Sequence, residues 1–157
     1  MNVMHIEDFQ PASTRPLVEL WRKSFEHGVG ITDPGPIEGQ QAYFESSVLP
    51  SNRVRIATVG SDLVGFIAST PESIECLYVA VPHIGCGIGS QLLSLAKSES
   101  SGSLWLYTFA QNSNARKFYE RHGFIDMGHG FENMWKLEDI RYVWSKSENA
   151  ASGLCLA

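Results

Sequence analysis

The chain has 157 residues, 43% hydrophobic and 18% charged, with a formal net charge of −5. That length suits a single domain with a core of its own, and no apolar run approaches the roughly 18 residues of a membrane span. The acidic balance argues against general nucleic-acid binding, which favours basic surfaces.

In chain order, residues 4–9 read as a short first strand. Ser13 or Thr14 can cap a helix to about His27, with Leu17, Val18, Leu20, Trp21 and Phe25 on its apolar side. A glycine- and proline-rich loop follows over residues 28–39, then a shorter helix over 40–48. Residues 53–59 and 63–69 alternate as two arms of a hairpin turning at Ser61-Asp62. A strand over 74–81 runs into a turn holding Gly85, Gly87 and Gly89, and an amphipathic helix leads out to about Ser98. The apolar run 104–109 is a strand, and Asn112 or Ser113 caps a helix through Arg121 that stops at His122-Gly123. Residues 124–130 and 140–145 are two late strands. Phe118, Trp21, Trp105 and Trp144 read as core. The expected domain is residues 1–146, with a polar, frayed tail over 147–157.

The N-terminal stretch carries acids where a signal peptide needs basic and then apolar residues. Cys76, Cys86 and Cys155 are odd in number and widely spaced, which fits neither a complete disulfide framework nor a common zinc spacing. A reducing, cytoplasmic setting without a bound metal is the simplest expectation.

The strand, glycine turn and helix start around residues 81–99 form an anion site. Glycine permits close backbone approach, and the first N–H groups of a helix have no internal partner. The helix dipole adds attraction for phosphate. A dinucleotide fingerprint needs a further glycine where Ser90 stands.

Two segments, LYVAVPHIGCGIGSQLL over 77–93 and NSNARKFYERHGF over 112–124, together resemble the GNAT superfamily of acyl-CoA-dependent N-acyltransferases. The first is similar to its pyrophosphate motif Q/R-x-x-G-x-G/A, the second to its N-x-x-A-x-x-F-Y-E-x-x-G-F segment. The resemblance spans residues 56–144. One departure is Ile84, which stands where the motif carries Gln or Arg. The resemblance implies a mixed α/β (α+β) domain. Its central, mostly antiparallel twisted sheet splays between the fourth and fifth strands, flanked by about four helices. It implies acetyl-CoA as co-substrate, its pantetheine arm lying along the splayed strands like an added strand.

The implied cofactor contacts are Leu77, Tyr78, Val79, Gly85, Cys86, Gly87, Ile88, Gly89, Ser90, Asn112, Ala115 and Tyr119. Tyr119 matches the family's general acid, and backbone N–H groups near Leu77 to Val79 would hold the oxyanion. Glu75 is the candidate base, with a solvated strand carboxylate as its alternative reading; Asn112 can be cap, ligand contact or both. The expected reaction is acetyl transfer to a primary amine of a small molecule or peptide by direct attack in a ternary complex. A non-catalytic acyl-CoA-binding module and an enzyme using a longer acyl chain are the alternatives. The expected partner is the amine, with no nucleic acid or membrane, and a homodimer is left open.

Overall fold

Two antiparallel sheets meet edge to edge in the computed structural model, which describes residues 3–146. The first has the order β1 (Met4–Asp8), β2 (Arg53–Val59), β3 (Asp62–Ser69), β4 (Ile74–Val79). The second has the order β5 (Ser103–Phe109), β7 (Asp139–Ser145), β6 (Ile125–Gly130). The expected tail, with Cys155, lies outside the described residues.

β4 and β5 run parallel and touch only near their starts. A Ser73–Trp105 bridge and the Trp105 N–H to Glu72 O bond, 3.1 Å, join them there. Beyond that point the strands part, which is the expected splay. The crossover from β4 to β5 is α4 (Ile88–Ser98), and that from β5 to β6 is α5 (Ser113–Arg121). β7 then inserts antiparallel between β5 and β6.

The core has two parts. On one face α4 lays Leu92 and Leu93 against Leu104, Leu106, Ile140 and Tyr142. On the other, Leu17 and Val18 of α1 (Thr14–Val29) pack with Phe44 and Phe66. Each such side chain contributes about 1.5–3 kcal/mol on burial. α4 sits close on the sheet because residue 65 is glycine: a Cβ there would lie 3.1 Å from Ile88 and 3.2 Å from the Tyr78 carbonyl.

Several sequence expectations need correction. The hairpin turns at Gly60-Ser61, one residue earlier, because glycine takes the positive φ of 62° and Val59 pairs with Asp62. Ser13 makes no capping bond; a 3₁₀ turn over Pro11–Ser13 leads into α1 instead. The second helix is longer than 40–48. It runs as α2 (Ile37–Tyr43), a π-helical stretch (Phe44–Val48) and α3 (Leu49–Ser51). Pro50 lacks the N–H that would continue the α ladder, and the wider turn precedes it. Trp105 is not core: it stands on the outer face of β5, 40% exposed, under the Arg141 guanidinium.

Candidate active site

The register of each sheet decides which backbone groups face the splay. Residues of an antiparallel pair alternate between bonding their partner and pointing away. The Ala80 N–H to Val64 O bond, 2.8 Å, assigns the even residues of β4 to β3. Leu77 and Val79 therefore turn their N–H and C=O groups to the open edge, while the Tyr78 amide is committed to β3. On β5, the Ala110 N–H to Glu138 O and Lys146 N–H to Gly102 O bonds assign the even residues to β7. Tyr107 and Phe109 thus face Leu77 and Val79 across the gap.

A cavity of about 540 Å³ fills that gap. Of the sequence-predicted residues, Glu75, Leu77, Tyr78, Val79, Gly85, Gly87, Ile88, Gly89, Ser90, Asn112, Ala115 and Tyr119 all line it. Cys86 is exposed and lies outside the lining.

At one end is the glycine turn. Gly85 and Gly87 have φ of 88° and 85°, and a Cβ on either would meet nothing within 4 Å. The first backbone bond of α4 runs from Gln91 N–H to Gly87 O, 3.1 Å. The N–H groups of Ile88, Gly89 and Ser90 precede it and are free for an anion. Gly89 has a different role: a Cβ there would press on the Phe118 ring at 3.4 Å, so it seats α4 on α5. The buried Nδ1 of His83, on the cavity wall, has no partner among the described residues.

α5 forms the opposite wall. Asn112 caps it, its side chain accepting from Ala115 N–H at 3.1 Å. The same side chain abuts Gly28 at the end of α1, where a Cβ would come within 2.5 Å of Nδ2. Tyr119 is buried, 8% exposed, in ring contact with Phe118, Phe124 and Tyr142. Burial pushes its phenol well above the usual tyrosine value, with the ionisations of Tyr78 and Cys76 adding to the shift. Phe118, expected as core, is half-buried and lines the cavity.

At the far end stands Glu75, exposed at the cavity wall. Its Oε1 accepts a hydrogen bond from Asn52 at 3.0 Å.

The acetyltransferase (GNAT) domain model matches residues 50–126, which contain both glycine turn and α5. The uncharacterized N-acetyltransferase YafP of Escherichia coli (strain K12) is 28% identical over 133 residues, covering 79% of this chain and 83% of YafP. Over residues 50–126 the chain carries a GNAT acetyltransferase domain. Solved structures share its fold. Apo-form YjaB from Escherichia coli has a TM-score of 0.75 at 21% identity, covering 90% of this chain and 97% of that one. The PaiA N-acetyltransferase of Thermoplasma acidophilum, solved in complex with coenzyme A, has a TM-score of 0.69 at 21% identity, covering 91% and 99%.

For a GNAT domain the cavity has a notable charge layout. Lys117 and Arg121 line it on the α5 side, and neither pairs with a carboxylate among the described residues. Glu75 is the one carboxylate among the lining residues. His83 reads from the sequence as a loop or cap residue, and the two cations carry no role there. The usable signal was helical: Asn114, Lys117 and Arg121 fall on one stripe of α5 at spacings of three and four. His122 joins Ser90 through an Nε2–Oγ hydrogen bond of 3.1 Å. Burial, then Lys97 and Arg121, hold its imidazole below the ordinary histidine value. Among the described residues no cluster of three or more His, Cys, Asp or Glu could hold a metal, and no helix is long and apolar enough to cross a membrane.

Proposed function

We propose that this protein transfers an acetyl group from acetyl-CoA to a primary amine by direct attack in a ternary complex. The observation that carries the reading is the polarity of one cavity. Its cationic, amide-rich end suits a diphosphate, and its single carboxylate end suits an ammonium.

The residues fit acetyl-CoA in several ways. The turn over Gly85 and Gly87 leaves open space above unpaired N–H groups. Lys117, Arg121 and the orphaned His83 Nδ1 supply further polar contacts. The outward-facing groups of Leu77, Val79, Tyr107 and Phe109 accept an extended amide-bearing arm as a strand would. Acetyl-CoA supplies the activated thioester.

This chain's residues do the rest. Glu75 receives the proton that the ammonium must lose before its nitrogen can attack, directly or through one water. The N–H groups of Leu77 and Val79 stabilise charge building on the carbonyl oxygen as the C–N bond forms. The C–S bond breaks, and the Tyr119 phenol donates its proton to the departing sulfur, to be restored from solvent. Its raised pKa keeps that proton in place at neutral pH.

The test is release of free CoA thiol from acetyl-CoA with and without a panel of amines. Amine-dependent release supports the reading. Calorimetric binding of CoA without release under any amine would identify a binding module instead.

A further inference from the structure

A ladder of aromatic rings leads from the core to the surface beside Glu75. Phe66 stacks on Tyr78 at 5.9 Å, Tyr78 meets Trp21 at 6.1 Å, and Trp21 meets Tyr43 at 6.4 Å. The ladder begins at fully buried Phe66 and ends at Tyr43, which is 52% exposed. Of the ladder only Tyr78 lines the cavity, three residues along β4 from Glu75, which lines it too; Trp21 and Tyr43 lie outside the lining, continuing the ladder from Tyr78 to the surface. The carboxylate of Glu75 lies near enough to Tyr43 to add to the upward shift that burial gives its phenol.

Glu75 is held for one task. Asn52 uses one N–H on Glu75 Oε1 at 3.0 Å and the other on Val48 O at 2.9 Å, which fixes the amide and the carboxylate together. Oε2 meets no donor among the described residues. A carboxylate with one oxygen free, near the exposed ring of Tyr43, suits an ammonium on a flat apolar body.

We propose that Tyr43 and Trp21 form an aromatic ledge that, with Glu75, selects as acceptor a primary amine bearing one positive charge on an apolar, preferably aromatic, body. This rests on the acetyl-transfer reading for the reaction, though the ledge itself is an amine-binding surface. One charge is favoured because Glu75 is the lone carboxylate of the cavity lining, and the cations there, Lys117 and Arg121, would repel a second ammonium reaching inward. The apolar body is favoured because Tyr43 presents ring surface to solvent that an acceptor can cover.

The experiment compares phenethylamine, ethylamine and spermidine as acceptors with acetyl-CoA, in the parent, Tyr43→Ala and Tyr43→Phe. A parallel calorimetric titration adds phenethylamine to the CoA-loaded proteins. Phenethylamine should exceed ethylamine in kcat/KM by about tenfold. Tyr43→Ala should remove that preference through KM with kcat little changed, and Tyr43→Phe should keep it. Equal or better use of ethylamine or spermidine, or an unchanged preference in Tyr43→Ala, overturns the ledge. If no amine releases thiol, the acetyl-transfer reading fails, and the titration alone decides the ledge. Binding weakened by Tyr43→Ala and by Glu75→Gln supports it; binding that is absent, or equal in parent and variants, overturns it.

Discussion

Replacing Tyr119 with Phe removes one oxygen from a buried ring and little else. The ring contacts with Phe118, Phe124 and Tyr142, at centroid distances of 5.2, 5.5 and 6.3 Å, all survive. No hydrogen bond contributes to the phenol's shift, so no partner is orphaned by the change. Stability should therefore move by less than about 1 kcal/mol, or about 4 °C in Tm. The rate should respond much more. A positioned proton donor is worth about 10²–10⁴ in rate, and a thiol is a fair leaving group, so a loss near 10²-fold is expected. That is about 2.7 kcal/mol of transition-state stabilisation. The loss should fall on kcat rather than on KM for acetyl-CoA, since the contact strengthens as sulfur gains charge. Because burial raises the Tyr119 pKa, the parent should show no decline from this group up to about pH 9. The assay is steady-state kinetics with any accepted amine, alongside a thermal melt. A mutant with parental kcat and an unchanged melt would remove Tyr119 from the chemistry and leave water as the acid.

The other predictions concern the anion end and two histidines. Ile84 is 47% exposed, so Ile84→Arg sacrifices little packing and should tighten CoA binding by about 0.5–1.5 kcal/mol, read by calorimetry. Gly87→Val forces a β-branched residue to a φ of 85°, at a cost of about 1–2 kcal/mol, and places methyls where a diphosphate must approach. CoA binding should be lost in a protein that still folds by circular dichroism; parental affinity would move the site elsewhere. His129 is held between Asp126 and Glu138, at 2.7 and 2.5 Å, and these hydrogen bonds raise its pKa, whereas burial lowers that of His122. NMR titration should find them on opposite sides of the ordinary value of about 6.5. By linkage, the His129 contribution is full below that value and fades as pH rises through its folded pKa, while the His122 contribution fades as pH falls below it. Like-sided titrations would contradict both environments.

The glycine turn and α5 were legible because each rests on local rules. Positive φ at Gly85 and Gly87 needs glycine, and Asn112 caps a short helix that ends at Gly123, φ 87°. The alternation of β2 and β3 likewise reports one buried face. What the sequence hid is non-local. Nothing in residues 139–145 says that β7 slides between β5 and β6, and that insertion fixes which β5 groups face the gap. Phe118, read as core, is only half-buried while its neighbour Tyr119 is buried, because adjacent positions on a helix differ by about 100° of rotation and the surroundings decide which is inward. Glu75 and Tyr43 are 32 residues apart in sequence, and their approach depends on how the helical segment from Ile37 to Ser51 lies on the sheet.

In the proposed reaction one cavity joins acetyl-CoA to an amine. Acetyl-CoA carrying an isotope-labelled acetyl group, incubated with the protein and phenethylamine, tests it by mass spectrometry of the amine. Label should appear on the amine nitrogen in step with free CoA thiol, abolished by Gly87→Val and slowed by Tyr119→Phe. Thiol release with the label recovered only as free acetate, across the whole amine panel, would contradict it.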